Sequence, residues 1–213
     1  MQFGEKVERG WVAPHVAEEL PGLGVAWVTA EGGTGRSPEA VRARLRDLSD
    51  RFYGSHAVHM RERPIPWAYR VFFRQIGIDP DETRTPVEQL ALDRLHDGAF
   101  KSRGMPEDAL TIATAETGVA MRAFDADRLE GALGIRESAP GESLSGDAGA
   151  MSPGTLIVAD ERTPLELLFG GPASDRVVDS STTRIAIAAI SVKNVPPASV
   201  NEAFWIAVSV IGS

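Results

Sequence analysis

Apolar positions recur at helical spacing in the first half of the chain. After Ser37-Pro38-Glu39, where serine can cap a helix and proline fits its first turn, apolar residues return every three or four positions. Three further helices are predicted over Trp67 to Ile76, from the capping-box pattern Thr85-Pro86-Val87-Glu88 onwards, and over Pro106 to Thr117. The candidate core positions of the first and third of these helices are Val41, Leu45, Leu48, Phe52, Leu90, Leu92 and Leu95.

The second half of the chain consists of short apolar runs between turns that contain glycine and proline, which is typical of strands. A pair of strands is also predicted near the start, and Ser199 to Ile211 has the apolar spacing of a closing helix. Helices and strands do not alternate regularly, so the pattern favours an α+β fold. The predicted strands are residues 10–13, 23–30, 119–124, 132–136, 155–159, 165–169 and 184–192.

Composition narrows the classes of function. The chain has no cysteine, which excludes a disulfide framework, thiol catalysis and a cysteine-based zinc site, and which fits a cytoplasmic location. Residues 1–6 do not begin a secretory signal, and no apolar run approaches the roughly 18–20 residues that span a bilayer. We therefore expect a soluble, cytoplasmic protein with no membrane partner, no metal and no other cofactor.

The charge of the chain is unevenly distributed. A net charge of −8 disfavours general adhesion to phosphate backbones, so no DNA partner is expected. Residues 36–74 nevertheless hold nine arginines against four acidic residues, and aromatic residues are interleaved with them. Such a segment could bind RNA by charge and stacking, or it could be the solvated face of helices whose apolar side is buried.

Four stretches carry motifs that occur in the same order in a known family. Gly118 to Gly131 contains Arg-Ala-Phe-Asp-Ala-Asp, Gly154 to Glu161 is a strand entering a turn, Leu168 to Gly171 ends in Gly-Gly, and Tyr69 to Ile78 is an arginine-rich helix. These stretches resemble the B3/B4 domain that bacterial phenylalanyl-tRNA synthetases carry in their β subunit. The resemblance covers about residues 10–211. It implies one domain over residues 1–213, with a helical N-terminal half packed on a mostly antiparallel, multi-stranded sheet structure.

The resemblance also implies a pocket. In those synthetases the domain hydrolyses tyrosine wrongly attached to the phenylalanine tRNA. This chain has Arg122 where the family has histidine, Pro172 where it has glutamate, and Thr111 where it has asparagine. Arginine stays protonated and cannot act as a base, and proline has no polar side chain. Conventional editing chemistry is therefore in question, no catalytic residue is assigned, and whether the protein is an enzyme stays open.

Three arginines are candidate ligand or RNA contacts. Arg122 at the mouth of the implied pocket could hold a carboxylate or phosphate, or it could form a surface ion pair with Asp125 or Asp127. Arg70 and Arg74 lie one helical turn apart on a helix that, in the related fold, borders the cleft. They could contact an RNA phosphate or an acidic ligand; the alternative is pairing with nearby acids such as Asp79 or Asp81.

The remaining candidates are apolar or uncharged. Phe169, Gly170 and Gly171 could line the pocket or form a turn between strands. Phe124 precedes an Asp-x-Asp sequence for which an Asx-type turn is favoured over a metal site, and His56 with His59 is a weak metal motif. Thr182 belongs to a hydroxyl-rich run near the same end of the sheet, where strand-edge hydroxyls are the simpler interpretation.

Three functions fit these observations. The first is binding of RNA or tRNA, or quality control of aminoacyl-tRNA in trans, with the usual editing residues replaced. The second is a non-catalytic protein that binds an amino-acid-like small molecule on the same scaffold. The third, a hydrolase with a rearranged site, is the least supported, because no pair of base and nucleophile can be identified in the sequence.

Overall fold

The computed structural model of the protein describes residues 6–52, 54, 59–144, 149–170 and 177–213. Its helices are α1 (Pro14–Glu19), α2 (Glu39–Arg51), α3 (Pro64–Gln75), α4 (Pro86–Asp97), α5 (Glu107–Thr117) and α6 (Pro197–Ile211). Its strands are β1 (Glu8–Arg9), β2 (Trp11–Val12), β3 (Gly24–Glu31), β4 (Ala120–Asp125), β5 (Gly134–Glu137), β6 (Leu156–Ala159), β7 (Pro164–Leu167) and β8 (Arg184–Ser191).

The strands form two four-stranded sheets. The first sheet has the order β1-β3-β8-β4 and is antiparallel throughout, with β3 and β8 paired from Gly24↔Ser191 to Glu31↔Arg184. The second sheet has the order β2-β5-β6-β7, in which only β2 and β5 run parallel. The mostly antiparallel α+β fold that the sequence predicts is therefore confirmed.

The centre of the core is β8. All six residues from Ile185 to Ile190 are buried; β3 and β4 flank β8, helix α6 contacts it, and the unbroken burial shows that both faces of the strand are covered. An apolar run without alternation is what a strand covered on both faces requires. Among the described residues, no helix is long and apolar enough to cross a membrane.

Tyr69 ties helix α3 to the first sheet. Its hydroxyl donates a hydrogen bond to the Ile190 carbonyl at 2.6 Å and accepts one from the Ala120 N–H at 3.0 Å. Ala120 and Ile190 are register partners in β4 and β8, so the Tyr69 hydroxyl bonds to both strands at the end of this strand pair. Burial raises the pKa of Tyr69 well above its ordinary value, which keeps the phenol protonated and able to donate.

The expected core face of α4 is wrong at two positions. Leu92 and Leu95 are 43% and 42% exposed, whereas the helix buries Val87, Glu88 and Ala91. Glu88 can be buried because Thr85 and Arg70 bond to its two carboxylate oxygens. Counting only apolar residues therefore misplaces the buried face. The capping box at Thr85 and Glu88 is confirmed.

Candidate functional site

Two cavities meet at Phe169 and Gly170. One, here called the central cavity, measures about 650 Å³ and lies between α4, α5 and β4. The other, here called the lateral cavity, measures about 530 Å³ and lies between α1, the end of α3 and the second sheet. Thr83, Phe169 and Gly170 belong to the walls of both. Each volume falls in the range of about 300–1,000 Å³ that is usual for small-molecule sites.

Three residues singled out in the sequence line the central cavity beside Phe169. Thr111 lies on α5, Arg122 lies on β4, and Gly170 follows β7. Thr114 follows Thr111 by one helical turn and adds a second threonine to the wall. The structure therefore brings Thr111, Arg122 and the Phe169–Gly170 turn to one cavity, although they belong to separate elements of the chain.

Arg122 has an ion-pair partner that the sequence did not reveal. Its Nε lies 2.6 Å from Glu166 Oε1 on β7, and its Nη1 donates to the Met121 carbonyl at 2.9 Å. The guanidinium and the carboxylate thus form a close ion pair between β4 and β7. The partners proposed from sequence, Asp125 and Asp127, are therefore not the ones that Arg122 meets.

Glu166 is a buried carboxylate on an otherwise apolar strand. Burial raises its pKa, and the charge of Arg122 opposes that rise. The sequence does contain a signal for it, since Glu166 interrupts the apolar run of β7 beside the buried Leu165. A carboxylate at such a position needs a cationic partner, but nothing in the local sequence says which arginine supplies it.

Phe169 and Gly170 form a fixed turn at the junction of the cavities. The Phe169 ring packs against Tyr69, Phe72 and Phe73 at centroid distances of 5.8, 5.6 and 5.1 Å. Gly170 has φ = 115°, and a Cβ at this position would meet no atom within 4 Å. Glycine is therefore favoured here by the positive φ of the turn and not by a close approach of another backbone segment. Gly171 and Pro172 lie outside the described residues.

The comparisons with known proteins bear on the same part of the chain. The profile of the B3/4 domain matches residues 68–203, which is more than half of the chain. The chain belongs to the B3/4 domain family. The matched segment contains every described residue that lines the central cavity.

The curated relatives of this B3/4-domain protein are phenylalanine–tRNA ligase beta subunits. That of Neisseria meningitidis serogroup A is 37% identical over 101 residues, 45% of this chain and 13% of the relative. That of Streptomyces avermitilis is 29% identical over 119 residues, which are 53% of this chain and 14% of the relative. That of Nitrosospira multiformis is 27% identical over 162 residues, 71% and 20% of the two chains. The chain thus matches a fifth or less of each relative's length.

Phe124 and Thr182 lie away from both cavities of the B3/4 domain. Phe124 is fully buried. Asp125, which follows it, accepts a hydrogen bond from Thr182 Oγ1 at 2.7 Å and one from the Asp127 N–H at 3.0 Å. The second contact is an Asx-type turn, and the first joins β4 to the segment before β8. Phe124 is therefore a core residue, and Thr182 has a structural hydrogen-bond partner.

Arg70 and Arg74 lie in different environments. Arg70 is only 3% exposed and pairs through Nη1 with Glu88 at 2.8 Å and through Nη2 with Asp81 at 2.7 Å. The hydrogen bond from Arg70 holds the pKa of Asp81 below its ordinary value. The structure thus places Arg70 in an interior ion-pair network, not on a ligand-facing surface. Arg74 is exposed, and its guanidinium lies 5.7 Å from the centre of the Trp67 ring.

Most of the arginine-rich segment has acidic partners. Glu39 forms ion pairs with Arg46 at 2.7 Å and with Arg42 at 2.6 Å, and these contacts lower the pKa of its carboxyl. Glu116 forms an ion pair with Arg44 at 2.7 Å. The local excess of positive charge is therefore reduced by acids from within and outside the segment, which weakens the electrostatic argument for RNA binding.

A metal site finds no support in the part of the chain that the structure describes. No group of three or more histidine, cysteine, aspartate or glutamate side chains is suitably placed there. His56, one member of the proposed histidine pair, lies outside the described residues.

Proposed function

We propose that this B3/4-domain protein binds an amino-acid-like small molecule in the central cavity and holds its carboxylate through Arg122. The observation that carries the proposal is that Arg122 lines a cavity of about 650 Å³. Its Nε and Nη1 have partners in the protein, whereas Nη2 bonds to none of the described residues. Arginine suits a carboxylate because its donors match the two oxygens in geometry and charge.

The remainder of the cavity suits the body of such a ligand. Leu90, Leu110, Met121 and Phe169 provide apolar surface, and Thr111 with Thr114 provides hydroxyl groups for an amine or carbonyl. The curated relatives are named as ligases of phenylalanine to tRNA, and this supports an amino acid as the chemical class. A cytoplasmic location, as expected for a chain without cysteine, is consistent with such a ligand.

Binding without hydrolysis fits the wall of the cavity better than editing does. Arg122 cannot accept a proton at neutral pH, and a threonine hydroxyl needs a positioned base to act as a nucleophile. Among the described lining residues there is no histidine or cysteine, and Glu82, the one carboxylate there, forms no hydrogen bond with Thr111 or Thr114. We therefore propose a binding protein on the B3/4 scaffold rather than a deacylase.

A thermal-shift screen of L-amino acids, their amides and an amide-linked aminoacyl-adenosine tests this function. We expect free amino acids to raise the melting temperature, with a stabilisation of about 2.7 kcal/mol at a concentration of 100 Kd. The amides should stabilise less because they lack the carboxylate. Stabilisation by the aminoacyl-adenosine alone, or by no compound, contradicts the proposal.

The double variant Arg122→Met/Glu166→Met isolates the role of the guanidinium. Replacing both partners avoids leaving the buried Glu166 without its counter-charge. The loss of a charge-assisted contact, about 1.5–3 kcal/mol, should weaken binding by at least about tenfold. Arg136→Met/Glu142→Met is the matched control, because this ion pair on and beside β5 lines neither cavity. Equal affinity of the two double variants excludes Arg122 as the carboxylate contact.

A second candidate function, tRNA binding in trans, is favoured by one surface feature. Trp67 on α3 is 49% exposed, and Arg74 lies over its ring. An exposed tryptophan beside an arginine can stack on an unpaired base while the cation approaches a phosphate. This candidate rests on that pair, because much of the arginine-rich segment is engaged in ion pairs.

Retention of total tRNA across a salt series tests the second candidate. If Trp67 stacks on a base, Trp67→Ala should cost about 1–3 kcal/mol of binding free energy. Trp205→Ala is the control, since Trp205 on α6 is similarly exposed at 45% and has no arginine in ring contact among the described residues. No salt-sensitive retention by the unmodified protein, or equal losses in both variants, rules out this mode of binding.

A further inference from the structure

The lateral cavity is a second pocket with walls of its own. It adjoins the central cavity at Thr83, Phe169 and Gly170, but its other walls come from α1, the end of α3, and strands β5, β6 and β7. Phe73, Ile76, Leu156 and Leu168 give it an apolar interior. With a volume of about 530 Å³, it has the size of a site for a small organic ligand.

Part of this cavity lies outside the segment that defines the family. Val16, Glu19 and Leu20 belong to α1 or its end, whereas the B3/4 profile begins at residue 68. The central cavity, in contrast, is described entirely within that segment. The lateral cavity is therefore built jointly by the family domain and by the N-terminal part of this chain.

The charges of the lateral cavity have one sign. Glu19 and Glu137 line it, and no lysine or arginine appears among its described lining residues. The Glu19 side chain forms no ion pair or hydrogen bond with another described residue. Glu137 lies 3.3 Å from His15 Nε2, a contact that carries opposite charges only when the histidine is protonated. Among the described residues, neither carboxylate is therefore paired with a lysine or an arginine.

We propose that the lateral cavity binds an organic amine, with the apolar body in the interior and the protonated amino group beside Glu19 and Glu137. Two carboxylates attract an ammonium group and repel a carboxylate, and the apolar walls remove hydrocarbon surface from water. This ligand carries a positively charged group, whereas the ligand proposed for Arg122 is held through its carboxylate. This inference does not depend on the function of the central cavity.

Three compounds with one hydrocarbon body test the charge preference. In calorimetric titrations, 4-phenylbutylamine should bind more tightly than 4-phenylbutan-1-ol, and 5-phenylpentanoate should bind least. Glu19→Gln and Glu137→Gln should each lower the affinity for the amine by about two- to fivefold, the range of exposed ion pairs. The affinity for the alcohol should stay unchanged. Glu18→Gln is the matched control, because Glu18 lies on the same helix but does not line the cavity.

Two further variants locate the bound amine. Leu156→Trp should abolish amine binding by filling the cavity from β6, and if this variant does not fold, the two glutamine variants still test the site. Arg122→Met/Glu166→Met should keep the full affinity for the amine. The proposal is overturned if the amine binds no better than the alcohol, if both glutamine variants bind it normally, or if the Arg122/Glu166 double variant loses it.

Discussion

Arg70→Met is expected to lower the free energy of unfolding by about 3–5 kcal/mol, the range for removing one partner of a buried ion pair. Arg70 is buried between Asp81 and Glu88, and its removal leaves the buried Glu88 carboxylate without a counter-charge. It also removes the contact that joins α3 to α4 and to the loop between them. Urea denaturation followed by circular dichroism measures the change.

Arg84→Met provides the control for that variant. Arg84 is partly exposed and meets the same Asp81, with its Nη1 3.4 Å from the carboxylate oxygen. Its loss should therefore cost no more than about 1 kcal/mol. Adding Glu88→Gln to Arg70→Met should restore part of the stability, because an uncharged amide replaces the unpaired carboxylate and can still accept the Thr85 hydroxyl. If Arg70→Met and Arg84→Met lose equal stability, the interior network is not what stabilises this region.

Asp108→Ala is expected to lower the free energy of unfolding by about 3 kcal/mol, since each buried donor left without an acceptor costs about 1–3 kcal/mol. The buried Asp108 carboxylate accepts the Ser37 hydroxyl at 2.7 Å, the Ser102 hydroxyl at 2.5 Å and the Arg103 N–H at 2.8 Å. These three bonds tie the start of α5 to the segments before α2 and before α5. Thermal and urea unfolding should report the same loss.

Glu107→Ala separates this network from the effect of helix charge. Glu107 precedes Asp108 in the first turn of α5 but is exposed, so its removal costs only the interaction with the helix dipole, about 0.3–1 kcal/mol. Asp108→Asn should lie between the two alanine variants, because an amide oxygen can replace one of the two accepting oxygens. A loss in Asp108→Ala no larger than that in Glu107→Ala contradicts the proposed network.

Local patterns predicted the elements of the fold well where the signal is itself local. The capping box at Thr85 and Glu88 marks the start of α4, and the continuous apolar run of β8 marks a strand covered on both faces. Local counting misplaced Leu92 and Leu95 because it assumed that a glutamate faces water. The burial of Glu88 depends on Arg70, a residue on another helix, and only the tertiary structure brings the two together.

The candidate site was predicted in part, from a family resemblance and not from local patterns. Thr111, Arg122 and the Phe169–Gly170 turn were selected by resemblance to a family, and the structure brings them to one cavity. Glu166 was missed because its partner Arg122 lies on β4, which belongs to the other sheet. No local sequence pattern indicates a contact between two sheets. Arg70 was selected for its charge and helical spacing, which carry no information about burial.

The most direct test of the central claim is methionine-methyl NMR during titration with the free amino acid that stabilises the protein most. Met121 lines the central cavity, whereas Met105 is buried and lines neither it nor the lateral cavity. Binding at Arg122 predicts a saturable shift of the Met121 resonance, an unchanged Met105 resonance, and a titration midpoint at least about tenfold higher in Arg122→Met/Glu166→Met. An unchanged Met121 resonance at saturating ligand, or an equal titration midpoint in the double variant, would contradict binding of the ligand at Arg122 in the central cavity.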